Sequence, residues 1–180
     1  MKAVLDACVM YPTVMREVLL ASADRGFFEP LWSETILREW LVAAGKRGAL
    51  EKAQAQGDQA LLKANWQNAQ IEEPAGLADR FYLPDPNDRH VLATAVGAGA
   101  PVIITMNLRD FPARLLAEHG ISAIHPDALL RGFFEADPER MRSAVELVRT
   151  KAEALSGEPQ DMRKLMKKAR MPRLGKALAG

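Results

Sequence analysis

At 180 residues, with 48% apolar and 26% charged, the chain has an ordinary globular composition and enough length for one well-buried core plus a short appendage. No apolar run approaches the ~18 residues of a membrane span, Asp6 interrupts any signal-like stretch, and the single Cys8 excludes an internal disulfide, so a cytoplasmic location without membrane contact is expected. The net charge of +1 hides an asymmetry: residues 137–180 carry 11 Lys and Arg against 6 Asp and Glu, the remainder 13 against 17.

Ala3 to Asp6 reads as a short buried strand that ends on a carboxylate, and a carboxylate in such a setting needs a partner. Tyr11-Pro12 then opens a helix from Thr13 to Asp24, stopped near Arg25-Gly26, and Phe27 to Leu31 is a second strand. Ser33 is an N-cap for a helix of about 12 residues whose apolar stripe is Ile36, Leu37, Trp40 and Leu41. Leu50 to Ala69 predicts one or two further helices. The turn signal Leu83-Pro84-Asp85-Pro86-Asn87-Asp88 leads into a helix buried through Val91, Leu92, Ala95 and Val96 and ending at Gly97 or Gly99.

Pro101 to Thr105 is the clearest strand, continuously apolar as a central strand of a parallel sheet should be. A short helix after Phe111-Pro112 and a strand over Ile121 to Ile124 complete the alternation. Beyond Asp127 only helices are predicted: Ala128 to Glu135, Pro138 to Leu155, Gln160 to Ala169, and a last turn after Pro172. Alternating strands and helices predict an α/β fold with a central parallel sheet. The expected division is a domain over 1–135 and a basic helical extension over 136–180.

In such a sheet ligands sit beyond the carboxyl ends of the strands, which places Asp6 and the Thr105 to Asp110 loop on one edge. Asp6, Glu39, Asp88 and Asp110, with Asn107 as a further oxygen donor, are the candidate chemistry. Each has a plain alternative: Asp6 and Asp88 as helix caps, Glu39 on a solvated helix face, Asp110 as a helix start. Asp85 and Asn87 could take over the capping and leave Asp88 free. Carboxylates brought together would repel without a cation, and hard oxygen donors suit Mg²⁺ or Mn²⁺, two of which can promote phosphodiester hydrolysis. No Gly-rich dinucleotide or phosphate loop is present, Cys8 reads as a small buried residue, and His90, His119 and His125 lack metal-ligand spacing.

Four segments in order, Val4-Leu5-Asp6-Ala7-Cys8-Val9, Trp32-Ser33-Glu34 through Glu39-Trp40, Leu83-Pro84-Asp85-Pro86-Asn87-Asp88-Arg89-His90-Val91-Leu92-Ala93, and Ile104-Thr105-Met106-Asn107-Leu108-Arg109-Asp110-Phe111, resemble the PIN-domain nucleases. Within them the likeness is to the VapC-like toxin ribonucleases of type II toxin-antitoxin modules, over roughly Met1 to Phe134. The resemblance implies a three-layer α/β sandwich and a Mg²⁺- or Mn²⁺-dependent endoribonuclease. It also implies a homodimer with a cognate antitoxin protein. It maps the family's first acid to Asp6, its helix-borne glutamate to Glu39 and its third acid to Asp88. The fourth acidic position falls at Asn107, where this chain carries an amide and Asp110 is the possible substitute. Thr105 matches the family's hydroxyl near the site, and Thr105 and Arg89 are the expected substrate contacts. A binding module with an incomplete site, and a processing nuclease without a toxin role, remain open alternatives. The basic end, from Arg163 to Lys176, is expected to contact RNA or the antitoxin.

Overall fold

The computed structural model describes residues 1–180. Strands β1 (Lys2–Leu5), β2 (Glu29–Leu31), β3 (Val102–Ile104) and β4 (Ser122–Ile124) form one parallel sheet in the order β2-β1-β3-β4. Ala3, Val4, Leu5, Ile103 and Ile104 are completely buried, which explains the unbroken apolar runs. Register pairs Leu5 with Ile104, and the Asp6 N–H continues the ladder to the Ile104 carbonyl at 3.1 Å. The chain runs from β1 outward to β2 and returns on the other side of β1 as β3. Strand order therefore reverses between β1 and β3, where an open α/β sheet forms its ligand crevice. The architecture is the α/β fold with a central parallel sheet expected from the sequence, of the three-layer sandwich class and with a C-terminal helical extension.

Two compact units divide the chain, Met1–Tyr11 with Glu29–Ile124 and Pro12–Phe28 with His125–Gly180. The first holds the sheet with α1 (Ala7–Met10), α3 (Glu34–Gly45), α4 (Ala49–Asn65), α5 (Arg89–Ala98) and α6 (Ala113–Ala117). Ser33 caps α3, its hydroxyl accepting the Ile36 N–H, and Gly99 closes α5 with a left-handed backbone (φ 60°). Leu50 to Ala69 resolves into a single helix that starts one residue earlier and ends at Asn65, and the ambiguous Leu77 to Phe81 segment holds one 3₁₀ turn, Ala78–Arg80.

The second unit is helical: α2 (Thr13–Asp24), α7 (Pro126–Ala136), α8 (Pro138–Ser156), α9 (Met162–Lys168) and α10 (Pro172–Leu178). Phe27 and Phe28, expected in the second strand, leave it because Gly26 (φ 77°) turns the chain and the Phe27 N–H returns to Ser22. Their rings stack on Phe133 at 4.9 and 5.9 Å instead. The expected last turn after Pro172 is a seven-residue helix because the buried carboxylate of Asp127 accepts the N–H groups of Arg173 and Leu174, at 3.0 and 2.9 Å. That contact satisfies two otherwise orphaned donors at the positive end of α10. No helix is long and apolar enough to cross a membrane.

Candidate active site

The switch point between β1 and β3 brings the end of each strand into contact. Asp6, 4% exposed, follows β1 directly and precedes α1, yet its side chain caps nothing there. The Thr105 hydroxyl, itself completely buried after β3, donates to Oδ2 of Asp6 at 2.6 Å. The Cys8 thiol donates to the same oxygen at 3.0 Å. Thr105 Oγ1 in turn accepts the Asn107 N–H at 3.0 Å, so the loop leaving β3 is tied through one hydroxyl to the acid leaving β1. Charge-assisted bonds of this kind fix a carboxylate's orientation.

Cys8 has a larger part than the sequence suggested. Burial, then the charge of Asp6 and the hydrogen bond to it, pushes its thiol well above the ordinary range. The side chain is therefore a donor rather than a nucleophile. Its sulfur also accepts the Met106 N–H at 3.2 Å.

Asp88 stands at the N-terminus of α5 without capping it. Asp85 caps the 3₁₀ turn Pro86–Asp88 that leads into α5, its carboxylate accepting both the backbone and side-chain N–H of Asn87 at 2.9 Å. Asp88 is half-buried, and its pKa is raised to about 7 by burial first and then by the negative charges of Asp6, Asp85, Asp110 and Glu39. A carboxyl that feels four others is held partly protonated near neutrality because its ionisation is opposed from several sides.

Glu39, in the middle of α3, does not face solvent alone. Its Oε1 lies 3.0 Å from Nε2 of His90, an ion-pair distance although not an aligned hydrogen bond, while Nδ1 of His90 is buried with no partner. Burial opposes a charged His90, but contact with Glu39 and its charge, with those of Glu73 and Asp6, raises the imidazole above its usual value. Sequence reasoning passed over His90 for want of metal-ligand spacing. The signal available was its position two residues after Asp88. The other two histidines are structural: Nδ1 of His125 accepts the Asp127 N–H at the start of α7, and His119 meets the Phe81 ring edge-on at 5.1 Å.

Asp110 ends the 3₁₀ turn Leu108–Asp110 and is partly exposed, as is Arg89, while Asn107 is exposed. No three His, Cys, Asp or Glu side chains stand close enough together to hold a metal ion. The fit to a divalent cation lies in hard oxygen donors and in the shared negative field at Asp88, not in a closed cage.

Comparison with known proteins adds to this geometry. The PIN domain family profile matches residues 2–109, a span that contains Asp6, Glu39, Asp88 and Thr105. The chain belongs to the PIN domain family. Within this PIN domain the switch-point acids lie on the matched segment, whereas Asp110 falls one residue beyond it. A similar protein is "Putative ribonuclease VapC50" of Mycobacterium tuberculosis, 39% identical over 75 residues, covering 36% of this chain. The match spans 44% of that protein, less than half its length. No solved structure matches the chain.

Proposed function

We propose that this PIN domain hydrolyses RNA phosphodiester bonds with a divalent cation, Mg²⁺ or Mn²⁺, drawn into the shared negative field of Asp6, Glu39 and Asp88, with Asp110 or Asn107 completing the donor set. The observation that carries the reading is the carboxyl edge of the sheet, where Thr105 fixes Asp6 and the charge of Asp6 is felt at Asp88. RNA as substrate draws support from the ribonuclease name of the similar mycobacterial protein.

When bound, a hard cation supplies water activation and neutralises charge on the phosphate. The chain's own residues set up the reaction. Thr105 and Cys8 hold one oxygen of Asp6. Asp88 would offer such a cation a carboxylate at the start of α5. His90 restrains Glu39, and Arg89, next to Asp88 and without an ion pair, is a phosphate contact.

The wider role we propose is that of a toxin in the cytoplasm, paired with a cognate antitoxin and acting as a homodimer, on the strength of the VapC likeness. The nuclease domain covers 1–135, and the basic helical extension over 136–180 meets RNA or the antitoxin through Arg163, Lys164, Lys167, Lys168, Arg170, Arg173 and Lys176. Asn107, an exposed amide at the family's fourth acidic position, favours a second reading: an RNA- or partner-binding module that does not cut.

Incubation of the purified chain with RNA and Mn²⁺ decides between them. Hydrolysis abolished by chelator and by Asp6→Ala and Asp88→Ala supports the nuclease; RNA binding without cleavage supports the second reading. Full cleavage by both variants would overturn the site.

A further inference from the structure

Tyr82 is 82% exposed, the one aromatic among the exposed large hydrophobic side chains. Leaving such a ring in water gives up the burial that would stabilise it by a transfer free energy. The exposure is not slack in a loose loop. Phe81 and Leu83 on either side are 6% and 7% exposed, and the Phe81 ring is held edge-on against His119. Pro84 further restricts Leu83 to extended backbone. The segment is thus anchored at both neighbours, with the Tyr82 ring held outward.

The Arg89 guanidinium lies 5.8 Å from the centroid of the Tyr82 ring, within cation–π range. Arg89 makes no salt bridge, and its Nε is buried without a partner. It directly follows Asp88, whose carboxyl senses Asp6, Asp110 and Glu39. An exposed ring, an unpaired cation beside it and the carboxylate edge therefore occur in that order over a short distance.

We propose that Tyr82 is a stacking platform for one base of single-stranded RNA, with Arg89 meeting the adjoining phosphate. The proposal rests on the RNA reading above and deepens it. Bases offer a π-face whatever their identity, so stacking on tyrosine binds with little sequence preference, and an unpaired strand is required to present the base. Stacking also supplies an attraction that does not depend on charge, which matters where a polyanion must approach several carboxylates.

Fluorescence anisotropy with a labelled single-stranded RNA, on the full chain carrying Asp88→Asn to prevent cutting, tests it. Tyr82→Ala should weaken binding about tenfold, the size of one base–aromatic stack, while Tyr82→Phe and Tyr82→Trp hold it. The loss should keep the same salt dependence, whereas Arg89→Ala should lower the slope of log affinity against log salt by about 0.7, one phosphate contact to a single strand. An oligonucleotide made abasic at successive positions should reveal one position at which Tyr82→Ala no longer matters. RNA binding unaffected by Tyr82→Ala would overturn the stacking proposal and leave the nuclease reading standing. Tyr82-dependent binding by a native chain that cuts nothing would uphold stacking and sink catalysis. No RNA binding at all would overturn both.

Discussion

Nε2 of His90, in the first turn of α5, lies 3.0 Å from Oε1 of Glu39 in the middle of α3. The contact joins two helices that each carry a candidate acid, and it holds one of them by a single oxygen. Groups that orient a metal-binding carboxylate typically change metal affinity by 10–100-fold when removed. Replacing His90 with Ala is expected to lower Mn²⁺ affinity at least tenfold, measured by titration calorimetry. His90→Gln, which keeps an N–H at comparable reach, should recover part of it. Equal Mn²⁺ affinity in His90→Ala and the native chain would remove His90 from the site.

Asp88 provides a pH signature. Its folded pKa of about 7 exceeds the ordinary carboxylate value of about 3.9 expected in the unfolded chain, so the folded cation-free protein binds the extra proton between those values. The stability from this group is complete below about pH 4 and is lost as pH rises through 7. Thermal melts of the chelated protein from pH 5 to 8 should show a falling midpoint, and Asp88→Asn should flatten the trend. Over the same interval Mn²⁺ should bind more tightly, because the cation no longer competes with the proton. A midpoint that rises from pH 5 to 8 and is unchanged by Asp88→Asn would contradict the assignment.

Thr105 gives a test of the join between β1 and β3. Thr105→Val keeps the shape but removes the 2.6 Å donor to Asp6, leaving its buried Oδ2 with only the Cys8 thiol of α1 as a side-chain donor. The expected cost is about 1–3 kcal/mol by denaturant titration, together with weaker Mn²⁺ binding. Thr105→Ser should stay near the native value. Stability indistinguishable from native in Thr105→Val would show that the hydrogen bond contributes nothing.

In the helical unit, Asp127→Ala should lose about 1–2 kcal/mol, in the range of helix-cap losses, because two N–H groups at the start of α10 are left without their acceptor. Hydrogen exchange should quicken across residues 172–178 before the rest of the chain. Uniform exchange, with no local loosening, would mean that α10 is held by its apolar face alone, where Leu174 and Leu178 are buried.

Local chemistry along the chain determined much of this protein. Val4 and Leu5 before Asp6, the apolar run from Val102 to Ile104, and the Ser33 cap specify strands and helices through short-range periodicity and backbone hydrogen bonding. Asp85 beside Asn87 already indicated that Asp88 need not cap a helix. What only the tertiary structure decided are pairings between distant segments: Thr105 on Asp6 across 99 positions, His90 on Glu39, and Asp127 at the start of α10. Strand order chooses these partners, because β3 returns beside β1 rather than beyond β2, and no local propensity encodes that choice. Burial then sets the protonation of Asp88 and Cys8, a property of the assembled surroundings rather than of either residue type.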